Sequence, residues 1–448
     1  MYTTIFYIIL WLYVFEFLLS KTLSYLNTLN WSTELPNELK DIYDADKYKK
    51  SMNYEKTKYD FSNITWILSF FIMYFVLIFW WFWYLYDLTT LITHNEIFGT
   101  LIFFWIILLL QSIFSLPLSY YSTFVIEEKF WFNKYSKKIF FIDNVKSLLL
   151  SIVIGWLLLS LITWIYLVTW DNFWLYTWWV VTFFSIFMMM FYSSIIVPLF
   201  NKQTPLEDWK LRGAIEKFAK KVWFKLDNIF VIDWSKRSSK ANAYFSGFGP
   251  KKRIVLYDTL IEDLSIDELV WVLAHEIGHY KKKHTIQMLV FSIIQTGIML
   301  YILWVALKMP EISFAMWSSM SSFAVWMIAF GMLYTPISII FWLLGNILSR
   351  KNEYEADEFA WKNHNPEDLK NALIKLSRNN LSNLRPHPAY EFFNYSHPTV
   401  LKRLKALEKM SVLLVCKSWA SAAIVFKTTS SSLKLIACFI FNTSEPLT

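Results

Sequence analysis

Long apolar runs broken by short charged segments fill the first two hundred residues, and the pattern returns twice in the second half of the chain. Runs of about 17 or more residues with few charges fall at roughly 4–20, 64–86, 98–120, 147–169, 174–199, 285–307 and 322–347, which predicts seven membrane-spanning helices. Glu16 inside the first run, no basic stretch before it and no small-residue cleavage site after it read against a cleaved signal sequence. From Asn201 the polarity rises. A helix is predicted near 206–222, the β-branched runs Asn228–Ile232 and Arg253–Tyr257 predict a hairpin or small sheet, and Ser265 with Glu268 three residues on predicts a capping box. Soluble character resumes at Ser349 after the last two spans. The chain is therefore expected to be mainly α, dividing into a membrane domain with five spans at 1–200, a soluble-type domain carrying two more spans at 201–410, and an anomalous Ser-rich tail at 411–448.

Composition agrees, with hydrophobic residues at 56% and aromatics at 20%, well above soluble norms. Charge sets the orientation. The segments between spans one and two, three and four, five and six, and after span seven are rich in Lys and Arg, whereas the other three loops hold only Lys308. The basic side is expected inside, which puts the 200–284 segment and everything after Arg350 in the cytoplasm. The net charge of +8 then reads as topology plus attraction to the lipid bilayer, and no basic-aromatic motif points to nucleic acid.

Both cysteines, Cys416 and Cys438, lie in the tail, so any metal in the body of the chain must be held by His and carboxylate, a donor set that suits zinc. Glycine is scarce at nine residues while tryptophan reaches 24; together they make up about 7% of the chain, the usual share of glycine alone. Seven Arg against 36 Lys, with abundant Phe, Ile and Asn, is the bias of an AT-rich genome. Some lineages with such genomes read UGA as glycine, and translating that codon as tryptophan would write Trp for Gly. An interfacial Trp belt explains Trp80, Trp81, Trp83, Trp178 and Trp179. It does not explain Trp131, Trp209, Trp223 and Trp234, which sit in hydrophilic segments where turn residues are expected.

His275-Glu276-Ile277-Gly278-His279 carries the chemistry. Residues four apart share a helix face, so both imidazoles can reach one metal while Glu276 points at a water held there. A zinc peptidase needs a third protein ligand and an open position. Glu353-Tyr354-Glu355-Ala356-Asp357 supplies acids on a predicted helix; Glu353 and Asp357 are four apart, so one can ligate while the other buttresses an imidazole, with Glu355 facing elsewhere. Of the other histidines, His94 falls in an outer loop, His284 after Lys281–Lys283 reads as interfacial, and His364 and His387 read as surface or packing residues.

These motifs, with Ser238-Ser239-Lys240-Ala241-Asn242-Ala243-Tyr244-Phe245-Ser246-Gly247-Phe248-Gly249, Tyr395-Ser396-His397-Pro398, Phe124–Lys134 and the span spacing, resemble the type I CAAX prenyl endopeptidases over about residues 1–410. The resemblance implies an integral membrane zinc metalloendopeptidase whose helices enclose a chamber around a zincin-like site. By it, His275, His279 and Glu353 match the Zn2+ ligands, Glu276 the general base, Asp357 the acid after the third ligand, sometimes described as a proton donor, and Asn242 and His397 positions that contact substrate or oxyanion. Departures fall at Trp131, Trp223 and Trp234, where members usually carry glycine, and at Trp271, where they tend to carry a small residue. The implied substrate is a peptide or protein, including one lipidated at its C-terminus. The implied location is a bacterial inner membrane, given the suspected recoding, or the endoplasmic reticulum if the source is eukaryotic. A heat-shock-type membrane quality-control metallopeptidase shares the chemistry but is typically shorter with fewer spans. A non-catalytic multi-span protein would predict ionisable residues inside the spans, where Glu16 stands almost alone.

Overall fold

The computed structural model describes residues 2–40, 44–207, 209–225, 229–247, 253–316 and 322–411; the tail beyond Ser411 lies outside the described residues. The apolar runs fold as helices because no polar alternative satisfies their backbone in lipid. They are α1 (Tyr2–Leu29), α2 (Ala45–Ile78), α3 (Trp81–Ile92), α4 (Glu96–Tyr121), α5 (Lys137–Thr169), α6 (Phe173–Phe191) and α7 (Val197–Phe200). Among the described residues five stretches are long and apolar enough to cross a membrane, or six with a bent pair described below. One of the five, Lys137–Phe200, is 64 residues long, which at 1.5 Å per residue would reach roughly 96 Å against a bilayer core of about 30 Å. It folds back at a short 3-10 turn, Trp170–Asn172, and α6 packs on α5.

Two boundaries differ from the hydropathy reading. The run at 64–86 is broken at Trp80, which stands in the left-handed region between α2 and α3. The run at 98–120 ends too early: from Ser122 the chain continues α4 as a π-helical segment, Ser122–Glu127.

The second half opens with β1 (Gln203–Pro205), α8 (Trp209–Lys221) and β2 (Ile229–Ile232), followed by β3 (Ala243–Ser246) and β4 (Arg253–Tyr257). Of the two alternatives, the β-branched runs form a small sheet and not a hairpin. β2 and β4 pair in parallel, with β1 antiparallel on one side and β3 antiparallel on the other, giving the order β1-β2-β4-β3. A parallel pair needs a crossover longer than a tight turn, and the chain through β3 supplies it. Then come α9 (Asp258–Asp263), α10 (Ile266–Lys281), α11 (His284–Leu307), α12 (Glu311–Ala315), α13 (Phe323–Leu333), α14 (Thr335–Asn363), α15 (Pro366–Asn379), α16 (Pro388–Asn394) and a last helix at 400–411, α17. α13 and α14 are the bent pair, meeting at 57°.

Two main cores separate the halves. One packs α8, α10 and α15 against the sheet around Leu211, Ile254, Leu256, Leu273 and Ile277; the other gathers Ile9, Phe103, Phe173, Phe323 and Trp326 among the membrane helices. Trp80, Trp131 and Trp223 have φ of 58°, 70° and 53°, in the region that favours glycine, and among the described residues only Lys283 and Leu381 otherwise adopt it without being glycine. Trp131 and Trp223 are 78% and 91% exposed, as turn residues would be. Trp80 does not behave as an ordinary belt residue. Among the described residues the buried indole N–H groups of Trp31, Trp234, Trp271 and Trp361 find no hydrogen-bond partner.

Candidate active site

α10 begins as the sequence predicts: Ser265 accepts from the Glu268 amide and the Glu268 carboxylate accepts from the Ser265 amide at 2.8 Å. Such a box satisfies two otherwise orphaned donors. Lys375 of α15 donates to the same carboxylate at 2.7 Å and ties the helix start to the core. Further along, Gly278 permits the contact on which the site depends. A Cβ there would lie 3.1 Å from the Ala356 carbonyl oxygen and 3.2 Å from Ala356 Cα, so any larger residue would push α10 and α14 apart by a few tenths of an ångström.

That approach brings the expected donors together. His275 Nε2 and His279 Nε2 are 3.1 Å apart, and each lies within 3.4 Å of a Glu353 carboxylate oxygen. One ligand atom from each of the three residues falls within 4.8 Å of the others. Among the described residues Glu353 Oε2 is buried and makes no hydrogen bond, with His275 Nε2 at 3.4 Å and Arg403 Nη1 at 3.5 Å as its cationic neighbours, while the two imidazole nitrogens face one another at 3.1 Å. A buried carboxylate oxygen without a hydrogen bond, beside two convergent ring nitrogens, is a donor set that fits a tetrahedral zinc with one position left open.

The acidic pair divides its work. Asp357, 1% exposed, sits on the far side of His275, with Oδ1 at 2.9 Å from Nδ1. Burial alone would lower the His275 imidazole, but the Asp357 and Glu353 carboxylates reverse it and push it up to about 9, the mark of a cation-seeking environment. Asp357 is held in turn by Arg403 of α17, through Nε at 2.8 Å and a terminal nitrogen at 2.5 Å. The sequence reading missed Arg403. Its one signal is that a chain so poor in arginine keeps one here, where a planar fork can grip a carboxylate at two points.

These groups open onto a cavity of about 560 Å³ lined by Asn242, Phe245, Trp271, Glu276, His397 and Arg403 among others. Asp357 is not among its lining residues. Burial pushes the Glu276 carboxyl up, opposed by the two imidazoles. His397, 65% exposed, stands at 3.3 Å from Glu353 Oε1, and Ser396 Oγ lies 2.9 Å from its Nδ1. Asn242 precedes β3 and accepts from the Ala243 amide at 2.8 Å. The Trp271 side chain, 1% exposed, is part of the cavity wall.

The Asn242 strand is fixed from the membrane side. Lys240 donates to Tyr54 at 2.8 Å and pairs with Glu127 at 2.9 Å, while Tyr54 donates to Glu127 at 2.5 Å. A second cavity, about 530 Å³, runs from Asn242 and His397 to Tyr54, Glu55 and Lys58 of α2. A third, about 1020 Å³ and largely apolar, lies among α1 to α4 and is lined by Phe61, Thr65 and Trp66 of the same helix. His284, expected at the membrane interface, is instead 3% exposed and packs on His279. The break after α10 turns it inward. His94 falls in the short connection between α3 and α4, and His364 packs edge-on against Phe218. His387 caps α16 by accepting from the Ala389 amide.

Two family models match. Residues 24–202 match "CAAX prenyl protease N-terminal, five membrane helices" and 205–411 match peptidase family M48. CAAX prenyl protease 1 of Saccharomyces cerevisiae is 35% identical over 85% of this chain and 89% of its own length. The CAAX prenyl protease 1 homologue of Homo sapiens is 31% identical over 85% of this chain and 90% of its own. The crystal structure of Ste24p from S. mikatae superposes with a TM-score of 0.85 at 34% identity, covering 90% of this chain and 99% of that one.

Proposed function

Since the chain belongs to peptidase family M48 and is a multi-pass membrane zinc metalloendopeptidase of the CAAX prenyl protease type, we propose that His275, His279 and Glu353 hold its zinc and that Glu276 is its general base. The observation that carries this is the convergence of those three side chains within 4.8 Å on the cavity that Glu276 also lines. Zinc, when bound, supplies Lewis acidity toward the scissile carbonyl and lowers the pKa of a bound water.

The chain's own groups do the rest. Glu276 takes the water's proton as the water attacks and returns it to the leaving amine nitrogen. His397 Nε2 and the Asn242 side-chain amide donate to the developing oxyanion. β3, paired to β4 along one edge, offers its other edge to a substrate strand lying in the cavity. Asp357, away from the cavity and clamped by Arg403, holds the tautomer of His275 and takes no part in proton transfer.

We read the substrate as a peptide or protein whose C-terminus is prenylated. What supports this is α2, which passes from the polar second cavity at Tyr54 and Lys58 to the apolar third at Phe61 and Trp66, so a peptide and its lipid could occupy adjoining compartments of one chamber. Seven spans follow if Lys137–Phe200 counts as two and α13 with α14 as one. The division into a membrane domain at 1–200 and a peptidase domain at 201–410 is supported by the bounds of the two family matches. The Lys and Arg distribution supports a cytoplasmic active site, and the glycine and tryptophan composition supports a bacterial inner membrane. The test is to incubate the purified protein with a farnesylated CAAX peptide and an unprenylated control, with and without chelator. Chelator-sensitive cleavage of the farnesylated peptide is expected; equal cleavage of both peptides would overturn the prenyl preference, and cleavage indifferent to chelator would overturn the mechanism.

A further inference from the structure

His279 is held by an arrangement different from that of His275. Behind His275 stands the Asp357–Arg403 clamp; behind His279 stands another imidazole. His279 Nδ1 lies 3.0 Å from His284 Nδ1, the two rings cross at 74°, and His284 Nε2 lies 3.3 Å from Glu355 Oε2. Lys283, with φ of 62°, breaks the chain between α10 and α11 and turns the first residue of α11 back onto the last turn of α10. His284 is buried and Glu355 half-buried beside Lys351.

Tautomer logic makes this a directed chain. For His279 Nε2 to offer its lone pair to a metal, the proton must sit on Nδ1. The nearest partner of that N–H is His284 Nδ1, which accepts only if His284 carries its own proton on Nε2. The Glu355 carboxylate, an acceptor alone, fixes that proton there. Each of the three groups is thereby set by the next.

Resting on the zinc-site reading above, we propose that His284, oriented by Glu355, is a positioning residue that fixes the tautomer and ring orientation of the ligand His279. It does not touch substrate. Partners of this kind commonly change metal affinity by about 10- to 100-fold.

The test is zinc affinity by chelator competition, with the visible spectrum of the Co2+-loaded protein as a second readout, on the full-length protein in detergent. His284→Phe removes the acceptor and is expected to weaken zinc by roughly 10- to 100-fold and alter the Co2+ spectrum. His284→Asn, whose side-chain oxygen can stand near the Nδ1 position, is expected to recover most of that loss. Glu355→Leu, at a half-exposed position, is expected to weaken zinc several-fold and keeps the test alive if His284→Phe does not fold. Zinc affinity and Co2+ spectrum unchanged in His284→Phe and Glu355→Leu would overturn the proposal, as would His284→Asn failing as fully as His284→Phe. His279→Ala separates the two readings: if it binds zinc as tightly as the unaltered protein, the ligand assignment itself has failed, whatever the His284 variants do.

Discussion

With Glu276 as the proposed general base, turnover and folding are expected to part company at that residue. It lines the cavity without supporting the core, so Glu276→Gln should lower peptide cleavage by about 10²- to 10⁴-fold while leaving zinc content and thermal stability near those of the unaltered protein. Cleavage assays paired with melting curves check it; retained activity would remove Glu276 from the chemistry. At the same scale, the left-handed backbone at Trp131 and Trp223 asks for glycine, and the account expects peptide mass mapping of the native protein to find glycine masses there. Indole masses at both positions would end the recoding idea. The His pair, Glu276 and Glu353 were legible as residues because their spacing encodes a helix face. Arg403 and the buried setting of His284 were not, because long-range approach and a local break after Lys281 decide them, and neither leaves a periodic trace.

Among elements, the contact of α10 with α14 carries the site. Gly278→Ala would press a methyl group against the Ala356 backbone, which cannot swing aside as a side chain can. Overpacking of this kind costs about 1–3 kcal/mol, and here it also moves His275 and His279 away from Glu353. The expected outcome is a lower melting temperature together with weaker zinc binding by chelator competition; a loss of stability without change in zinc binding would show that the helix approach does not set the ligand geometry. The start of α10 was readable from its capping box, whereas the pairing of β2 with β4 was not. Two β-branched runs look alike whether they pair as a hairpin or in parallel, and the choice rests on β3, a strand whose alternation is too short to stand out.

At the level of the whole molecule, hydropathy located the helices, but helix breaks divided them differently: Trp80 splits one run and the α13–α14 bend folds another. Hydropathy averages over such single-residue turns. The orientation drawn from Lys and Arg can be tested because thiols occur only at Cys416 and Cys438. With those replaced, His94→Cys is expected to react with a membrane-impermeant maleimide on intact cells and Ser235→Cys only after permeabilisation; the reverse pattern would invert the topology. The claim beneath every step is that α10 and α14 together hold one zinc. Metal content of the purified full-length protein tests it most directly: one zinc per chain is expected, falling toward none in His279→Ala and in Glu353→Ala, whereas full zinc occupancy in both variants would contradict the account.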